Sequence, residues 1–391
     1  MVLGTLDRKL ETALWICVAA TLATLIFSTA LSQAGASLSV LLWIGLAARG
    51  RVVYPPVVLA LPFAALYLTR AASIIFSVVP HESVRLLYTE TVFGIFFFAV
   101  FSVLAYRTEE RSILLLRILT AAGAGAALVG LAKYFFIEAA RITSTTSGYY
   151  SLGMFLLVVL LLLLALGPSK RLLPHPALWW VSSGLLFAGI VFTQNRIHMA
   201  LAGVAVLGFS LRRSPWMALV FVALAAGLYF ASPDFLRQAG ERSLAPGAMS
   251  GREVLWSTAW DMAGDKPLTG YGPRSFRSIF PRFDDLADKG VGSWHNDAIQ
   301  AYMDSGALAL AAMLALYAAA FAGFMRAWRR TRDGHTRDVL LGSAAAIAAY
   351  FLAGGIFDVL LSLLFFTVLA IAAATAPPRE AEAPNTSGEA A

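Results

Sequence analysis

The fold class is decided by residues 148–167, which read GYYSLGMFLLVVLLLLLALG. This stretch carries no charged residue, and its length is close to the roughly 20 apolar residues that a helix needs to cross a bilayer. The whole chain has the same character, since 59% of its 391 residues are apolar and 14% are charged, whereas soluble domains are about half apolar and about a quarter charged. We therefore predict an all-α polytopic membrane protein.

The same criterion, applied along the chain, predicts about twelve transmembrane helices. The predicted spans are residues 13–31, 36–48, 56–79, 91–106, 112–136, 148–167, 177–193, 197–211, 214–231, 297–325, 338–355 and 357–375. They form a single transmembrane domain over residues 1–376, with one large loop, residues 232–296, inserted between spans nine and ten. Residues 377–391 are rich in Pro, Ala, Glu and Ser and predict a disordered cytoplasmic tail.

The basic residues of the short connections predict the orientation. If the N-terminus is cytoplasmic, the cytoplasmic connections hold fifteen Lys and Arg residues, whereas the opposite short connections hold only Arg85, Arg141 and Arg196. The positive-inside rule then places both termini in the cytoplasm and the large loop outside it. This asymmetry explains most of the net charge of +7, so the charge does not predict a nucleic-acid partner.

The large loop is electrically balanced, with eight Lys or Arg and eight Asp or Glu before Ser293, so individual residues must carry recognition. Ser250-Gly251-Arg252-Glu253 reads as a capping box and predicts a helix that ends near Gly264. Arg252 would lie in its first turn, at the positive end of the helix, which suits a phosphate oxygen. The alternative is a surface arginine stacked on Trp256.

Two further segments of the loop have recognisable patterns. Residues 267–273 read PLTGYGP, and the two glycines indicate a tight turn or a close backbone approach. Residues 275–288 predict a short amphipathic helix with an apolar stripe. That stripe suits either a membrane interface or packing on the transmembrane bundle.

His295 is the best-placed candidate base among the five histidines, because it ends the loop among polar neighbours, Asn296 and Asp297. An ordinary imidazole pKa of about 6.5 allows it to act as a general base at neutral pH. The alternative is a histidine that caps a helix or lies at the membrane interface.

Two arginines have unusual positions. Arg196 lies in the tight outer turn between spans seven and eight, and Arg70 lies well inside span three. Charges within a membrane are costly and often functional. Arg70 has either such a role or a structural one, in which it pairs with a carboxylate such as Glu82, Glu90 or Asp358.

These features resemble the O-antigen ligase family, membrane glycosyltransferases that share sequence features with O-antigen polymerases. The resemblance spans most of the chain and rests on the twelve-span layout and four motifs. The motifs are the arginine of the outer turn (Arg196), Ser-Gly-Arg-x-x-x-Trp (250–256), Pro-Leu-Thr-Gly-Tyr-Gly (267–272) and His-Asn-x-x-Ile-Gln-x-x-x-Asp-x-Gly (295–306). The chain departs from the family in having Asp304 where Glu is usual and no glycine three residues after Gly306.

The resemblance implies a GT-C-like enzyme that moves polysaccharide from undecaprenyl diphosphate to a sugar hydroxyl of lipid A-core, at the periplasmic face of the bacterial inner membrane. Arg196 and Arg252 would bind the diphosphate, and His295 would deprotonate the acceptor. Supporting roles fall to three further residues, Asn296, Arg70 and Asp358. The expected partners are the lipid-linked donor, the lipid A-core acceptor and membrane lipid. We expect inversion at the anomeric carbon and no cofactor, and also no metal, because the loop lacks an Asp-x-Asp motif.

Three other functions stay open at this stage. An O-antigen polymerase and a protein O-oligosaccharyltransferase use similar carriers and loop features but different acceptors. A transporter or channel would instead line its path with Arg70 and use the loop as an external gate. No internal repeat of fixed period is apparent in the sequence to favour a two-fold transporter architecture.

Overall fold

The computed structural model describes residues 5–137, 141–145, 148–231, 252–282 and 292–377, and all regular secondary structure within these ranges is helical. Its α-helices are α1 (Thr5–Thr24), α2 (Thr29–Ala48), α3 (Val57–Ser73), α4 (Pro80–Tyr106), α5 (Thr108–Ile137), α6 (Tyr149–Leu166), α7 (Pro176–Phe192), α8 (Arg196–Arg213), α9 (Pro215–Ala231), α10 (Arg252–Met262), α11 (Phe276–Ile279), α12 (Asp297–Arg330), α13 (Gly334–Ala353) and α14 (Val359–Thr375). Seven of the described helices are long and apolar enough to cross a membrane: α2 to α6, α12 and α13. Three shorter apolar helices, α7, α9 and α14, accompany them.

Each of the twelve predicted spans overlaps a described helix, but several of the predicted span boundaries were wrong. The first break lies at residues 25–28 rather than 32–35, because Ser28 caps α2 by accepting a hydrogen bond from the Leu31 amide at 3.3 Å. α4 begins at Pro80, eleven residues earlier than predicted. The number of membrane crossings, the orientation, the location of the loop and the GT-C-like architecture stay predictions.

The stretch that decided the fold class forms the centre of the bundle. Every residue of α6 from Ser151 to Leu166 is buried, and α6 packs against α5, α7, α8 and α13. α14 is buried in the same way and packs against α4 and α13. A helix that is apolar on all sides belongs in the interior of such a bundle.

α12 is broken at Gly306, where φ is 78° and ψ is −175°. The glycine-rich turn of residues 267–272, called the PLTGYG turn below, lies against this break. Three backbone hydrogen bonds join the turn to the broken helix: Tyr271 N to Met303 O at 2.8 Å, Gly272 N to Asp304 O at 2.9 Å and Ala307 N to Pro267 O at 2.8 Å. Backbone groups freed in a transmembrane helix need such partners. The loop is thus bonded into the bundle.

The described part of the large loop has a hydrophobic core of its own. Its buried members are Leu255, Ala259, Tyr271, Phe276, Phe280, Trp294 and Met303. Phe276 and Phe280 lie edge-on to Trp294, with ring centroids 4.9 and 5.9 Å away, so these two residues pack inside the loop rather than on lipid. Of the helix predicted for residues 275–288, the described residues contain α11 (Phe276–Ile279), after which Pro281 disfavours helical backbone at Phe280. Residues 283–288 of that prediction lie outside the described residues.

Candidate active site

Arg252 and His295 lie close enough for the guanidinium charge to act on the imidazole. Arg252 begins α10, and His295 ends the loop just before α12. The loop core fixes their relation, because Leu255 of α10 and Trp294, the neighbour of His295, are both fully buried in it. Ser250, the predicted capping residue, lies outside the described residues, as does Gly251.

His295 has an unusual backbone conformation and a shifted pKa. Its φ is 51°, in the left-handed region that non-glycine residues rarely adopt, and its side chain reaches solvent. The protein around the imidazole, and then the positive charge of Arg252, lower the pKa of His295 below its ordinary value of 6.5. A lower pKa keeps the ring neutral near pH 7, which is the form that accepts a proton.

Asn296 caps α12. Its side-chain oxygen accepts hydrogen bonds from the amides of Ala298 at 2.9 Å and Ile299 at 3.0 Å. Such a cap fixes the direction in which the chain enters the helix. Asn296 follows His295 directly, so this cap also restrains the chain on one side of His295, and a supporting role of Asn296 in the reaction stays a prediction.

Arg196 is the first residue of α8 and is exposed. The turn before it is tight, with φ of 55° at Gln194, and the side chain of Asn195 does not cap the helix. The guanidinium thus stands at a positive helix end, as Arg252 does.

His198 and Tyr150 join the site from within the bundle, although the sequence did not single them out. Their rings lie 4.9 Å apart between centroids, and the charge of Arg252 acts on both. Both imidazole nitrogens of His198 are buried without a hydrogen-bond partner among the described residues. The available signal was a histidine at the start of an apolar helix, two residues after Arg196.

The turn between α13 and α14 is bonded to the start of α12, beside His295 and Asn296. Asp297 accepts hydrogen bonds from the amides of Gly355 at 2.8 Å and Ile356 at 3.0 Å. Asp358 caps α14 and accepts a hydrogen bond from Ser151 at 3.2 Å. Asp358, predicted to support the site or to pair with Arg70, thus lies near Tyr150 and holds a helix end.

Comparison with known families adds an independent observation. Residues 181–314 match the model of the O-antigen ligase family. The resemblance of the motifs to that family is confirmed, and the match runs from within α7 into α12 and includes Arg196, Arg252 and His295. No curated protein matches the chain. Together with the seven apolar helices, the family points to an integral membrane enzyme of the O-antigen ligase and polymerase type.

Asp304, within the residues 295–306 that resemble O-antigen ligases, also contacts Arg70, the buried arginine of predicted span three. Arg70 donates to Glu90 through Nε at 2.7 Å and through Nη2 at 2.6 Å, and its Nη2 lies 3.4 Å from Asp304 Oδ2. Its guanidinium also lies over the ring of Phe357, 4.4 Å from the centroid. Of the three carboxylates suggested from the sequence, Glu90 is the partner. We call Arg70, Glu90 and Asp304 the buried ion group.

No three His, Cys, Asp or Glu side chains come together to hold a metal ion within the described ranges. Asp297 and Asp358 are already engaged, Asp297 with two backbone amides and Asp358 with its helix end. Metal independence stays a prediction, which the proposed function below carries forward.

Proposed function

We propose that the protein is an O-antigen ligase, which transfers polysaccharide from undecaprenyl diphosphate to a sugar hydroxyl of lipid A-core by a single inverting displacement without a metal ion. The observation that carries the proposal is the loop core, in which Leu255 of the Arg252 helix and Trp294 beside His295 are buried together, so that the charge of Arg252 acts on the imidazole, within the segment that matches the family. A cation beside a neutral base is what the transfer of a glycosyl group from a diphosphate requires.

Arg252 and Arg196 are proposed to bind the diphosphate. Negative charge grows on the leaving diphosphate as its bond to the anomeric carbon breaks, and guanidinium groups in place beforehand stabilise that charge. Each arginine is the first residue of a helix, so the helix dipole adds to its positive potential. This arrangement supplies by charge what a divalent metal ion supplies in other transferases.

His295 is proposed to take the proton of the acceptor hydroxyl. The hydroxyl oxygen then forms a bond to the anomeric carbon on the face opposite the diphosphate, and the electron pair of the broken C–O bond stays with the diphosphate. The configuration is inverted. A positioned general base contributes about 10²–10⁴-fold to such a reaction.

The test is transfer by the purified protein from a lipid-linked donor to lipid A-core, scored by the gel shift of the acceptor. His295→Ala and Arg252→Ala are expected to lose at least about 10²-fold in rate. Matched controls are His81→Ala, an exposed histidine at the start of α4, and Lys266→Met, a loop cation lying 5.3 Å from the Tyr271 ring centroid. Near-normal transfer by the first two variants at normal protein levels would reject the role assignment.

The acceptor separates the ligase from its alternatives. Transfer to a second lipid-linked chain would identify a polymerase, and transfer to a protein hydroxyl would identify a protein O-oligosaccharyltransferase. Flux of the donor across vesicles without any transfer would instead favour a transporter. Metal independence is tested in the same assay, in which excess EDTA is expected to leave the rate unchanged.

The inner-membrane location, with both termini cytoplasmic and the site facing the periplasm, is part of the same proposal. The sequence contains one cysteine, Cys17, so Cys17→Ser provides a background for labelling. A membrane-impermeant maleimide added to spheroplasts is expected to label Trp260→Cys, whose position is 80% exposed in the loop, and not Arg330→Cys. The reverse pattern would invert the topology.

A further inference from the structure

We propose that Gln300 is a positioning residue for His295 and that the buried ion group is its anchor. The inference rests on the proposed function, because it takes His295 as the base. The inference gives a function to Arg70, the arginine in predicted span three whose role the sequence left open.

Gln300 holds the backbone immediately before His295. The Trp294 amide donates to Gln300 Oε1 at 3.2 Å, and the Trp294 ring is fully buried in the loop core. On the other side, Asn296 is fixed as the cap of α12. His295 is therefore held from both neighbours in its left-handed conformation, which it would rarely adopt without support.

The orientation of the Gln300 amide follows from this bond. A glutamine has one acceptor oxygen and one NH₂ group, so with Oε1 turned to Trp294 the NH₂ group is left as a donor, and Asp304 lies one helical turn further along α12. Asp304 is 1% exposed, and its Oδ1 has no hydrogen-bond partner among the described residues. Gln300 thus stands between the Trp294 backbone and the buried carboxylate, with its NH₂ group as the donor that the carboxylate lacks.

The buried ion group makes Asp304 a fixed point. Arg70 bridges Asp304 to Glu90, and so joins α12 to α3 and α4. The backbone carbonyl of Asp304 also accepts a hydrogen bond from Gly272 of the PLTGYG turn. Burying an arginine with two carboxylates costs free energy of desolvation. We infer that the function of the buried ion group is to position His295.

The consequence for the reaction is specific. Loss of the Gln300 link lets the imidazole move relative to Arg252 and the acceptor, and a displacement of about 1 Å costs about 10²-fold in rate. In the proposed function Arg196 and Arg252, not His295, bind the diphosphate, so kcat for transfer from this donor falls while its KM changes little. A merely structural role for Gln300 would lower the amount of folded protein without this division between kcat and KM.

The experiment measures kcat and KM for Gln300→Met, which keeps the length of the side chain and removes both polar ends. The control is Asp338→Asn, which removes a carboxylate paired with Arg212 and Arg213 at the opposite end of α8 from Arg196 and should leave kcat unchanged. Gln300→Met is expected to lower kcat by about 10- to 100-fold. In a His295→Ala background it should cause no further loss, because both changes remove the same contribution.

A second pair of variants keeps the test decisive if Gln300→Met does not fold. Gln300→Glu retains an acceptor for the Trp294 amide but places a carboxylate against Asp304, so kcat should fall. Adding Asp304→Asn reverses donor and acceptor and should recover most of kcat. Wild-type kcat in Gln300→Met or in Gln300→Glu, or multiplicative loss with His295→Ala, overturns the inference alone. Wild-type transfer by His295→Ala overturns the proposed base and the inference with it.

Discussion

Gly306 provides a quantitative test of how the large loop is attached to the bundle. Its backbone conformation is accessible almost only to glycine, and forcing another residue into it costs about 1–3 kcal/mol. A Cβ at this position would also collide with the Leu268 carbonyl, so the PLTGYG turn would have to move. Loss of two of its three hydrogen bonds to α12 adds about 1–3 kcal/mol. Gly306→Ala should therefore destabilise the protein by roughly 2–6 kcal/mol.

The matched control is Gly323→Ala, in the same helix, where a Cβ meets nothing within 4 Å and alanine is favoured by about 0.5–1 kcal/mol. The assay is amide hydrogen exchange at Tyr271, Gly272 and Ala307, followed with the thermal midpoint in detergent. Gly306→Ala should expose at least two of these three amides to exchange and lower the midpoint, and Gly323→Ala should do neither. Unchanged protection in Gly306→Ala would show that the break in α12 does not hold the PLTGYG turn.

Three further outcomes are expected. Arg70→Met should lower the stability of the purified protein by about 3–5 kcal/mol, because it leaves buried carboxylates unpaired. Adding Glu90→Gln should recover part of that loss. An unchanged thermal midpoint for Arg70→Met would contradict the pairing. As the pH falls, kcat/KM should reach half its maximum below pH 6.5, because neutral His295 is the active form and its pKa is lowered. In the residual activity of Arg252→Gln this midpoint should move upward, because the positive charge that lowers the pKa is gone. A downward shift would contradict the effect of Arg252 on His295. Asn296→Ala should cost about 0.5–2 kcal/mol and some transfer, whereas Asn296→Ser should retain both; equal loss in the two would mean that capping is not what Asn296 does.

Much of the helical framework was predictable, because hydropathy reports directly on the burial of long apolar runs. The run at residues 148–167 became α6, the most enclosed of the seven long apolar helices. Helix ends were less predictable, since they depend on local hydrogen bonds that apolarity does not encode. Ser28, which caps the first turn of α2, lies inside a stretch that the sequence predicted to be one continuous span.

The local content of the site was visible in the sequence, but its long-range contacts were not. His295 and Arg252 stood out as residues of the right chemistry, whereas their proximity depends on a loop core assembled from separate segments. Glu90 was one of three carboxylates proposed for Arg70, and only the packing of α3 against α12 and α4 selects it. The glycines of the PLTGYG turn indicated a close approach, but not that a broken helix would fill it.

An experimental structure of the protein bound to undecaprenyl diphosphate would show whether Arg196, Arg252 and His295 surround the diphosphate. Diphosphate oxygens should then lie within hydrogen-bond distance, about 2.7–3.2 Å, of both guanidinium groups, with the His295 imidazole on the side where the acceptor hydroxyl must approach. A diphosphate bound away from these three residues would contradict this arrangement.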